Sequence, residues 1–381
     1  MKILHIINSL NKGGAEGNLY KICKAHKKKY KNKIDLTVIT LLENGYYEKK
    51  LKKIGIKIIP LKLDRKNKIT SFLKKIKKIR EIINFIDPDI IQTWMYHSNF
   101  ISLFIQKKYH QRLFWNVRHA ELNFKISRKT TILISVICGV FSKFIPKKII
   151  YCSEKSIKFH ENHHFYSKIK TKLIYNGYSK NIFFNSNNQR STFRKKYNLK
   201  NTDIVIGYAG RYARQKNIVS MIKAFSNIYK NYNNIYFMMA GKDINNQNKD
   251  LNNLILNNKI SNRIFLLDEQ KNLLEFYNGI DLLLLASHSE SFPNVVAESM
   301  LCSTPVLSSD AGCAKEIINN NIFILSNNNH ISISLRLKKI IKIYIKEKNK
   351  WYDLKTRARQ QIINNFSIET MADNYIKNWT L

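Results

Sequence analysis

Short apolar runs alternate with amphipathic stretches along the chain. In the first half, six runs resemble short buried strands: Ile3–Ile7, Ile34–Ile39, Ile56–Ile59, Ile90–Ile91, Leu113–Val117 and Ile149–Tyr151. Between them, apolar residues return at three- and four-residue steps, as from Ile69 to Ile86, which is the period of an amphipathic helix. Strands that alternate with helices in this way predict a parallel sheet in an α/β fold.

The same rhythm starts again in the second half of the chain. Its strand-like runs are Ile204–Tyr208, Ile235–Met239, Arg263–Leu267, Asp281–Leu285, Pro305–Leu307 and Ile322–Leu325. Between the two series, Asn176-Gly177-Tyr178 and the polar run from Asn185 to Arg190 have the composition of turns and linkers. The sequence therefore predicts an α/β chain with two Rossmann-like domains.

The length of the chain suits this division, because 381 residues are enough for two domains of about 100–200 residues each. We expect an N-terminal domain over residues 1–180 and a C-terminal domain over residues 181–365. From Phe366 to Trp379, apolar residues recur at near-helical steps. We therefore expect residues 366–381 to form a helix that packs back on the N-terminal domain.

The net charge is strongly positive and unevenly placed. The chain carries +40 overall, and residues 1–180 account for +28 of it, with 39 basic and 11 acidic residues. A field of this size attracts an anionic partner, which could be nucleic acid, a membrane surface or a phosphorylated metabolite. The chain is also rich in Lys, Asn and Ile, and compositional bias is the alternative source of part of the charge.

Much of the positive charge in the first half lies on two predicted helices whose other face is apolar. The basic residues are Lys21, Lys24, Lys27, Lys28, Lys29, Lys31 and Lys33 on the first, and Lys74, Lys75, Lys77, Lys78 and Arg80 on the second. Such clusters suit an anionic lipid surface, which attracts each nearby basic residue by about 1 kcal/mol. An ordinary solvated face is the alternative, and the sequence does not decide between the two.

The cysteines and the N-terminal residues favour the cytoplasm. Five cysteines lie far apart and include no Cys-x-x-Cys pair, so they indicate neither a disulfide framework nor a zinc ribbon. Residues 1–8 lack the long apolar core of a signal peptide, and we expect a chain that is not secreted. The stretch from Ile132 to Phe141 has about half of the ~20 residues that a membrane-spanning helix needs, and predicts a buried or interfacial helix.

Two glutamates follow the predicted strand Asp281–Leu285. Glu290 belongs to the loop after the strand, and Glu298 comes eight residues later in a predicted helix that starts near Pro293. The N-terminus of such a helix presents free backbone N–H groups and a partial positive charge, which attract an anion. Glu298 could accept hydrogen bonds from sugar hydroxyls. Taken alone, both glutamates could equally be surface carboxylates.

Two cations follow the first strand of the second half. Gly210 permits a sharp turn at the strand end, and Arg211 and Lys216 come directly after it. In a parallel sheet, this places both side chains above the carboxyl ends of the strands, where ligands bind. The pattern suits a diphosphate, and two surface cations in a Lys-rich chain are the alternative.

Taken together, these elements resemble the retaining glycosyltransferases of family 4. That family has the GT-B architecture, in which two Rossmann-like domains with parallel sheets face a central cleft. The resemblance runs over nearly the whole chain and rests on Gly13-Gly14-Ala15-Glu16, Asn176-Gly177, Gly210-Arg211 with Lys216, Glu290 to Glu298 as the Glu-x7-Glu motif, Pro305-Val306, Asp310-Ala311-Gly312 and Glu316.

The resemblance implies roles for individual residues. Arg211 and Lys216 would bind the donor's diphosphate and stabilise its charge as it departs, while Glu290 would contact the transferred sugar. His119 matches a family histidine that contacts the donor sugar. The other implied donor-binding residues are Gly210, Phe292, Asn294, Val295 and Glu298, with Glu298 on the ribose hydroxyls. Gly13 and Gly14 would let the N-terminal loop approach the diphosphate or the acceptor.

The resemblance also implies a function. We expect a hexosyl or N-acetylhexosaminyl group to pass from a nucleotide-sugar, most simply UDP-linked, to a saccharide acceptor with retention of configuration. The implied acceptor is lipid-linked, in O-antigen or capsule synthesis. We expect no cofactor and no catalytic metal, an anionic membrane surface as a partner, and a peripheral place on the inner face of the cytoplasmic membrane.

The chain departs from the family pattern at two positions. Leu267 stands where the family has a glycine near the nucleotide base, and Ser291 replaces the glycine of Glu-Gly-Phe-Pro. These departures leave base recognition and the shape of the sugar loop open.

Rival motifs are weaker. Asp87-Pro88-Asp89 looks like a metal-binding Asp-x-Asp, but it precedes a strand far from the diphosphate elements, so we expect a turn that ends a helix. His160, His163 and His164 lie in a polar stretch without a third-ligand pattern, and we expect surface residues. A nicotinamide dehydrogenase fits poorly, because the loop at Gly13 lacks Gly-x-Gly-x-x-Gly.

Two alternatives belong to other classes of protein. A basic nucleic-acid-binding protein would explain the charge, but the sequence has no helix-turn-helix, zinc-finger or RNP signature, and we expect no nucleic acid partner. A GT-B-like scaffold without catalysis is the other alternative, and the presence of Arg211, Lys216, Glu290 and Glu298 argues against it.

Overall fold

The chain folds into two compact units, each built around its own parallel sheet. A computed structural model describes residues 1–42, 45–61, 68–122 and 127–381, without the side chains of residues 68–72. Unit 1 comprises Met1–Gly177 and Ile368–Leu381, and unit 2 comprises Tyr178–Ser367. The boundary lies close to the division expected at residue 180, and the C-terminal residues join unit 1.

Unit 1 contains a seven-stranded sheet in the part of the chain that the structure describes. All neighbouring strands run parallel in the order β3-β2-β1-β4-β5-β6-β7. The strands are β1 (Lys2–Ile7), β2 (Asp35–Thr40), β3 (Lys57–Pro60), β4 (Ile90–Trp94), β5 (Leu113–Val117), β6 (Lys148–Tyr151) and β7 (Thr171–Leu173).

Helices connect these strands. They are α1 (Gly14–Tyr30), α2 (Tyr46–Lys53), α3 (Lys68–Ile86), α4 (Met95–Ser102), α5 (Lys129–Phe141), α6 (Glu154–His163) and the C-terminal α15 (Ile368–Thr380). The helix expected from Ile69 to Ile86 is confirmed as α3, although the side chains of Ile69 and Phe72 fall outside the described part.

Unit 2 repeats the arrangement with six parallel strands. Their order is β10-β9-β8-β11-β12-β13. The strands are β8 (Ile204–Ala209), β9 (Ile235–Ala240), β10 (Ile264–Leu266), β11 (Leu282–Leu285), β12 (Val306–Ser309) and β13 (Ile324–Leu325). The helices are α7 (Asn187–Lys196), α8 (Ile218–Tyr229), α9 (Lys249–Asn257), α10 (Leu274–Gly279), α11 (Asn294–Leu301), α12 (Ala314–Ile318), α13 (His330–Lys346) and α14 (Lys348–Asn365).

The predicted α/β fold with two Rossmann-like domains is confirmed. Each apolar run identified in the sequence overlaps a strand, because strands covered on both faces by helices are mostly apolar. β7 was not predicted. It has only three residues, and Lys172 at its centre hides it from a search for apolar runs.

The side chains of β1 show how one strand supplies two cores. Leu4 and Ile6 join the apolar cluster on one face of the sheet, and Ile3 and Ile7 join the cluster on the other. This alternation follows from the two-residue period of a strand. The second cluster also contains Met371, Tyr375 and Trp379, which lie on one face of α15.

Helix α15 is attached to unit 1 by buried polar contacts as well as apolar ones. The Tyr375 hydroxyl accepts hydrogen bonds from Asn116 Nδ2 and Arg118 Nη2, both at 2.6 Å. The Trp379 indole donates to Gln92 Oε1 at 2.9 Å. Since these groups are buried, α15 must keep its register to satisfy them.

The expectation that His160 and His164 are surface residues was wrong. Both are buried, and His160 Nε2 shares a 2.7 Å hydrogen bond with the Tyr96 hydroxyl. His164 Nδ1 shares a hydrogen bond of the same length with Ser135 Oγ. The polar neighbours in the sequence belong to the outer side of α6, while His160 lies on its inner side.

The Asp87-Pro88-Asp89 segment forms a turn after α3. Asp89 Oδ2 accepts the backbone N–H of Lys2 at 2.8 Å, and Asp87 pairs with Arg112 at 3.1 Å. Across the described ranges, no group of three or more His, Cys, Asp or Glu residues has the arrangement of a metal site. Within the same ranges, no helix is both long and apolar enough to cross a bilayer.

A buried ion network stabilises unit 2. Asp281, just before β11, accepts hydrogen bonds from Arg190 and Arg194, both at 2.7 Å, and from the backbone N–H of Val205 at 2.8 Å. Asp281 and Arg194 are buried, so removal of the carboxylate would leave a buried guanidinium without its counter-charge.

We therefore expect Asp281→Ala to lower the free energy of unfolding by about 3–5 kcal/mol. The matched control is Glu347→Ala, which removes the carboxylate of the exposed pair with Lys350 and should cost less than about 1 kcal/mol. Urea denaturation followed by circular dichroism measures both changes. Equal effects of the two substitutions would contradict a stabilising role for the buried network.

Unit 1 should lose stability in acid because it buries neutral histidines. Burial lowers the pKa of His5 and of His160 to about 3, and it also lowers the pKa of His26. The unfolded chain therefore binds more protons than the folded chain below the ordinary histidine pKa of about 6.5. As the pH falls from there toward 3, each such histidine should reduce the free energy of unfolding by up to about 1.4 kcal/mol per pH unit.

Tryptophan fluorescence can follow this loss, because Trp94, Trp115 and Trp379 all lie in unit 1. Urea midpoints should fall steadily between pH 7 and pH 5 in buffers of constant ionic strength. A midpoint that stays constant over this range would show that these histidines are not held neutral.

Candidate active site

The predicted site residues of unit 2 lie on loops at one edge of its sheet. β8, β11 and β12 are neighbours and run parallel, so the loops that follow them start from the same edge. These loops carry residues 210–217, 286–293 and 310–313. In parallel α/β sheets, ligands bind at this carboxyl edge.

Glycines allow the loop after β8 to turn closely against its neighbour. The backbone N–H of Gly210 donates to Ala240 O at 2.8 Å. A Cβ atom at Gly210 would lie 2.7 Å from the Tyr208 hydroxyl, which itself donates to Arg211 O at 3.0 Å. Gly241 has a φ of +146°, and a Cβ there would collide with Gly210 O. The backbone of Arg211 is thus fixed at the sheet edge, while its side chain is exposed.

Lys216 and Glu290 form an ion pair between two of the loops. The Lys216 ammonium donates to Glu290 Oε1, and Ser287 Oγ donates to the same oxygen at 2.8 Å. Both charged side chains are largely shielded from solvent. The sequence predicted both residues for the site but not that they pair. It also missed Ser287, whose position two residues after β11 was the one available signal.

Two backbone contacts hold the Glu290 loop in place. His288 N–H donates to Gln215 O at 2.8 Å, which joins this loop to the loop of Lys216. Gly312 has a φ of +62°, and its backbone packs directly against the carbonyls of Glu290 and Ser291. A Cβ at Gly312 would collide with both carbonyls, so this position requires glycine.

The two departures from the family pattern are compatible with this backbone. Neither Ser291 nor Leu267 adopts a left-handed φ, so neither position needs a glycine for conformational reasons. Asp268, which follows Leu267, has a positive φ of 55°. The loop of Glu290 therefore keeps its shape with serine at position 291.

Glu298 is oriented by a tyrosine that the sequence did not point to. Glu298 lies in α11, and its Oε2 accepts a 3.0 Å hydrogen bond from the hydroxyl of the buried Tyr277 in α10. Burial and the neighbouring Glu298 raise the pKa of Tyr277 well above its ordinary value, so the phenol remains a donor. No pattern in the sequence connects residues 277 and 298, which meet only through the packing of α10 and α11.

Phe292, Asn294 and Val295 occupy the start of α11. The Phe292 ring is buried and stacks on Tyr178 with 6.0 Å between ring centres. The Tyr178 hydroxyl donates to Asn294 Oδ1. Val295 is half-buried. The Phe292 side chain thus anchors the loop, and its backbone is the part available for the predicted contacts with sugar or phosphate.

The predicted residues of unit 1 also follow parallel strands. Gly13 and Gly14 lie at the start of α1 after β1, and His119 follows β5. A Cβ at Gly14 would have no atom within 4 Å, and a Cβ at Gly13 would meet only the flexible end of Glu16. The fold of unit 1 itself therefore does not require glycine at these positions.

His119 and Arg118 differ sharply in exposure. His119 is exposed, lies 5.5 Å from the Tyr96 ring centre to centre, and accepts a hydrogen bond from Ser156 at its carbonyl. Arg118 is buried and donates to Asn116, Asn176 and Tyr375. Its guanidinium is thus used inside unit 1.

Part of unit 2 is similar in sequence to known glycosyltransferases. Residues 189–361 match the family model described as glycosyl transferases group 1. The O-antigen biosynthesis glycosyltransferase WclY of Escherichia coli is 29% identical over 146 residues, which are 38% of this chain and 39% of that protein. The capsular polysaccharide biosynthesis glycosyltransferase CapM of Staphylococcus aureus is 23% identical over 192 residues, 48% of this chain and 49% of that protein. These matches therefore span less than half the length of each relative.

Solved structures match both units. Alr3699/HepE of Anabaena, in complex with UDP and glucose, has a TM-score of 0.81 at 19% identity, covering 100% of this chain and 99% of that one. A glycosyltransferase from Rickettsia africae has a TM-score of 0.82 at 20% identity, covering 99% and 97%. The sequence match covers most of unit 2, and the likeness to solved structures over the whole chain confirms the GT-B fold that the sequence predicted.

Proposed function

We propose that the protein is a glycosyltransferase that moves a sugar from a nucleotide-sugar to a saccharide acceptor. The observation that carries this proposal is the ion pair of Lys216 and Glu290 on loops at the carboxyl edge of the unit 2 sheet. Arg211 lies on the loop of Lys216, and Glu298 lies in α11, which follows the loop of Glu290. Two cations suit a diphosphate, and two carboxylates suit sugar hydroxyls. The named functions of WclY and CapM support a place in surface polysaccharide synthesis, such as O-antigen or capsule.

In this proposal, Lys216 exchanges its partner when the donor binds. Without donor, the Glu290 carboxylate neutralises the Lys216 ammonium. A diphosphate is a stronger anion, and it would take Lys216 as its counter-charge together with Arg211. Both cations would then stabilise the negative charge that grows on the leaving nucleoside diphosphate.

The exchange would also free Glu290 to accept hydrogen bonds from the transferred sugar. Glu298 would hold the ribose, with Tyr277 fixing one of its oxygens. The acceptor would attack from the face that the diphosphate leaves, so that configuration is retained, and we assign no nucleophile. The roles of His119, Gly13 and Gly14 on the sugar and diphosphate stay predictions.

The donor, the acceptor and the place of the protein in the cell can also be proposed. We propose a UDP-sugar as the donor, supported by the structural likeness to a protein solved with UDP and glucose. Arg211 and Lys216 supply the positive charge that a metal supplies in other transferases, so the mechanism needs no metal. A lipid-linked acceptor at the inner face of the cytoplasmic membrane suits the positive charge of residues 1–180.

The direct test is ligand-induced thermal stabilisation. The panel is UDP, GDP, ADP, their sugars and a short DNA duplex, with EDTA present and the salt concentration varied. We expect a shift with one nucleotide and its sugars that persists in EDTA. A salt-sensitive shift with DNA alone would instead support the nucleic-acid alternative.

The first variant is Arg211→Ala, with Arg357→Ala on the exposed side of α14 as the matched control. Loss of one preorganised stabiliser of the leaving diphosphate should reduce turnover of the nucleotide-sugar by roughly 10²–10³-fold. The melting temperature without ligand should stay unchanged, because the Arg211 side chain is exposed. A comparable loss of turnover in the control would remove the special status of Arg211.

The second variant is Tyr277→Phe, which removes the donor to Glu298 and keeps the ring. Loss of a hydrogen bond to a charged group should weaken nucleotide binding by about tenfold. Titration calorimetry with UDP and with its deoxyribose analogue separates positioning from simple destabilisation. We expect the preference for ribose to shrink in Tyr277→Phe and to persist in Tyr229→Phe, whose hydroxyl bonds only the Lys259 carbonyl in the described structure. An unchanged preference in both variants would contradict a role of Glu298 on the ribose.

A further inference from the structure

Helix α5 in unit 1 exposes a stripe of large apolar residues to solvent. The stripe comprises Leu133, Val140, Phe141 and Phe144, the last in the turn that follows the helix, and their exposed fractions range from 45% to 74%. At about 100° per residue, these four positions fall within one third of the helix circumference. Ile137, on the same side, is half-buried. We call these four residues the α5 stripe.

The opposite side of α5 is fixed to the rest of unit 1. Ser135 Oγ shares a 2.7 Å hydrogen bond with His164 Nδ1, and Cys138 Sγ lies 3.7 Å from Tyr96 O. Gly139 packs so closely against His164 O that a Cβ would collide with it. The exposure of the α5 stripe therefore belongs to a firmly packed helix, and the stripe faces away from the core.

The charged residues that flank α5 in the sequence all have one sign. Arg128 and Lys129 precede it, Lys143, Lys147 and Lys148 follow it, and residues 127–153 contain no Asp or Glu. With 13 residues, α5 is shorter than the ~20 that cross a bilayer. An apolar stripe with cations at both ends is typical of a helix that lies in the plane of an anionic membrane surface.

The basic helix α3 lacks this arrangement. It exposes Leu73 and Phe85, but these residues are twelve positions apart and point about 120° away from each other around the helix. α3 therefore offers charge without a continuous apolar stripe in the part whose side chains are described. If α5 binds a membrane, apolar contacts should contribute to the binding. If α3 binds one, the attraction should be electrostatic.

We propose that the α5 stripe is the surface through which this protein docks on an anionic lipid bilayer. The four apolar side chains enter the boundary between headgroups and acyl chains, and the basic residues at both ends of α5 contact the headgroups. A bilayer suits these charges better than a second copy of the chain, because residues 1–180 carry +28 and copies would repel each other. This proposal rests on the proposed function in one respect, namely that the acceptor is located at the membrane.

The test is sedimentation of the full-length protein with vesicles of equal parts phosphatidylglycerol and phosphatidylcholine. The variant is Leu133→Ser with Phe144→Ser. The matched control is Leu256→Ser with Leu335→Ser, which removes two unit 2 residues exposed by 62% and 63%. We expect the α5 variant to bind these vesicles at least about tenfold more weakly, because each buried apolar side chain contributes to partition. The control should bind like the unchanged protein, and pure phosphatidylcholine should bind all three proteins weakly.

Three results would overturn the proposal. The α5 variant and its control could bind equally well, or the unchanged protein could fail to bind the anionic vesicles. Binding could also be lost only when Lys74, Lys75, Lys77 and Lys78 are neutralised, which would assign the membrane face to α3. Thermal stabilisation by UDP, measured without vesicles, is a separate readout. If it is absent while vesicle binding follows the α5 stripe, the proposed transferase function fails and the docking surface stands.

Discussion

The parallel course of β8, β11 and β12 is the constraint on which the candidate site depends. Because neighbouring strands run in the same direction, residues as far apart in sequence as Lys216 and Glu290, 74 positions, emerge at one edge of the sheet. Lys216 follows β8 and Glu290 follows β11, and they meet as an ion pair without any further adjustment of the fold. Gly210 and Gly312 then allow the loops to pack closely enough to hold that pair.

The same edge combines rigid backbone with charges that can change partners. Hydrogen bonds between loop backbones, such as that from His288 to Gln215, are independent of any ligand. The Lys216 and Glu290 charges satisfy each other in the structure, which avoids the cost of leaving a largely buried charge unpaired. A diphosphate could take over one half of the pair, so the resting contact prepares the site for an anion.

Much of this could be predicted from the sequence because it depends on local patterns. Buried parallel strands are mostly apolar, so twelve of the thirteen strands in the described ranges were visible as apolar runs. Candidate residues could then be assigned to the ends of those strands. What the sequence could not supply are contacts between distant residues. Tyr277 reaches Glu298 through helix packing, and His160 is buried because of the side of α6 on which it lies. The α5 stripe was likewise visible only as an apolar run, since exposure depends on which side is packed.

The central claim is that the carboxyl edge of the unit 2 sheet binds the diphosphate of a nucleotide-sugar. A crystal structure of the protein with UDP tests it most directly. The account predicts the diphosphate in contact with Arg211 and Lys216, the ribose hydroxyls on Glu298, and the Lys216 ammonium moved from Glu290 to phosphate. A nucleotide bound elsewhere, or bound here with the Lys216 and Glu290 pair still intact, would contradict the account.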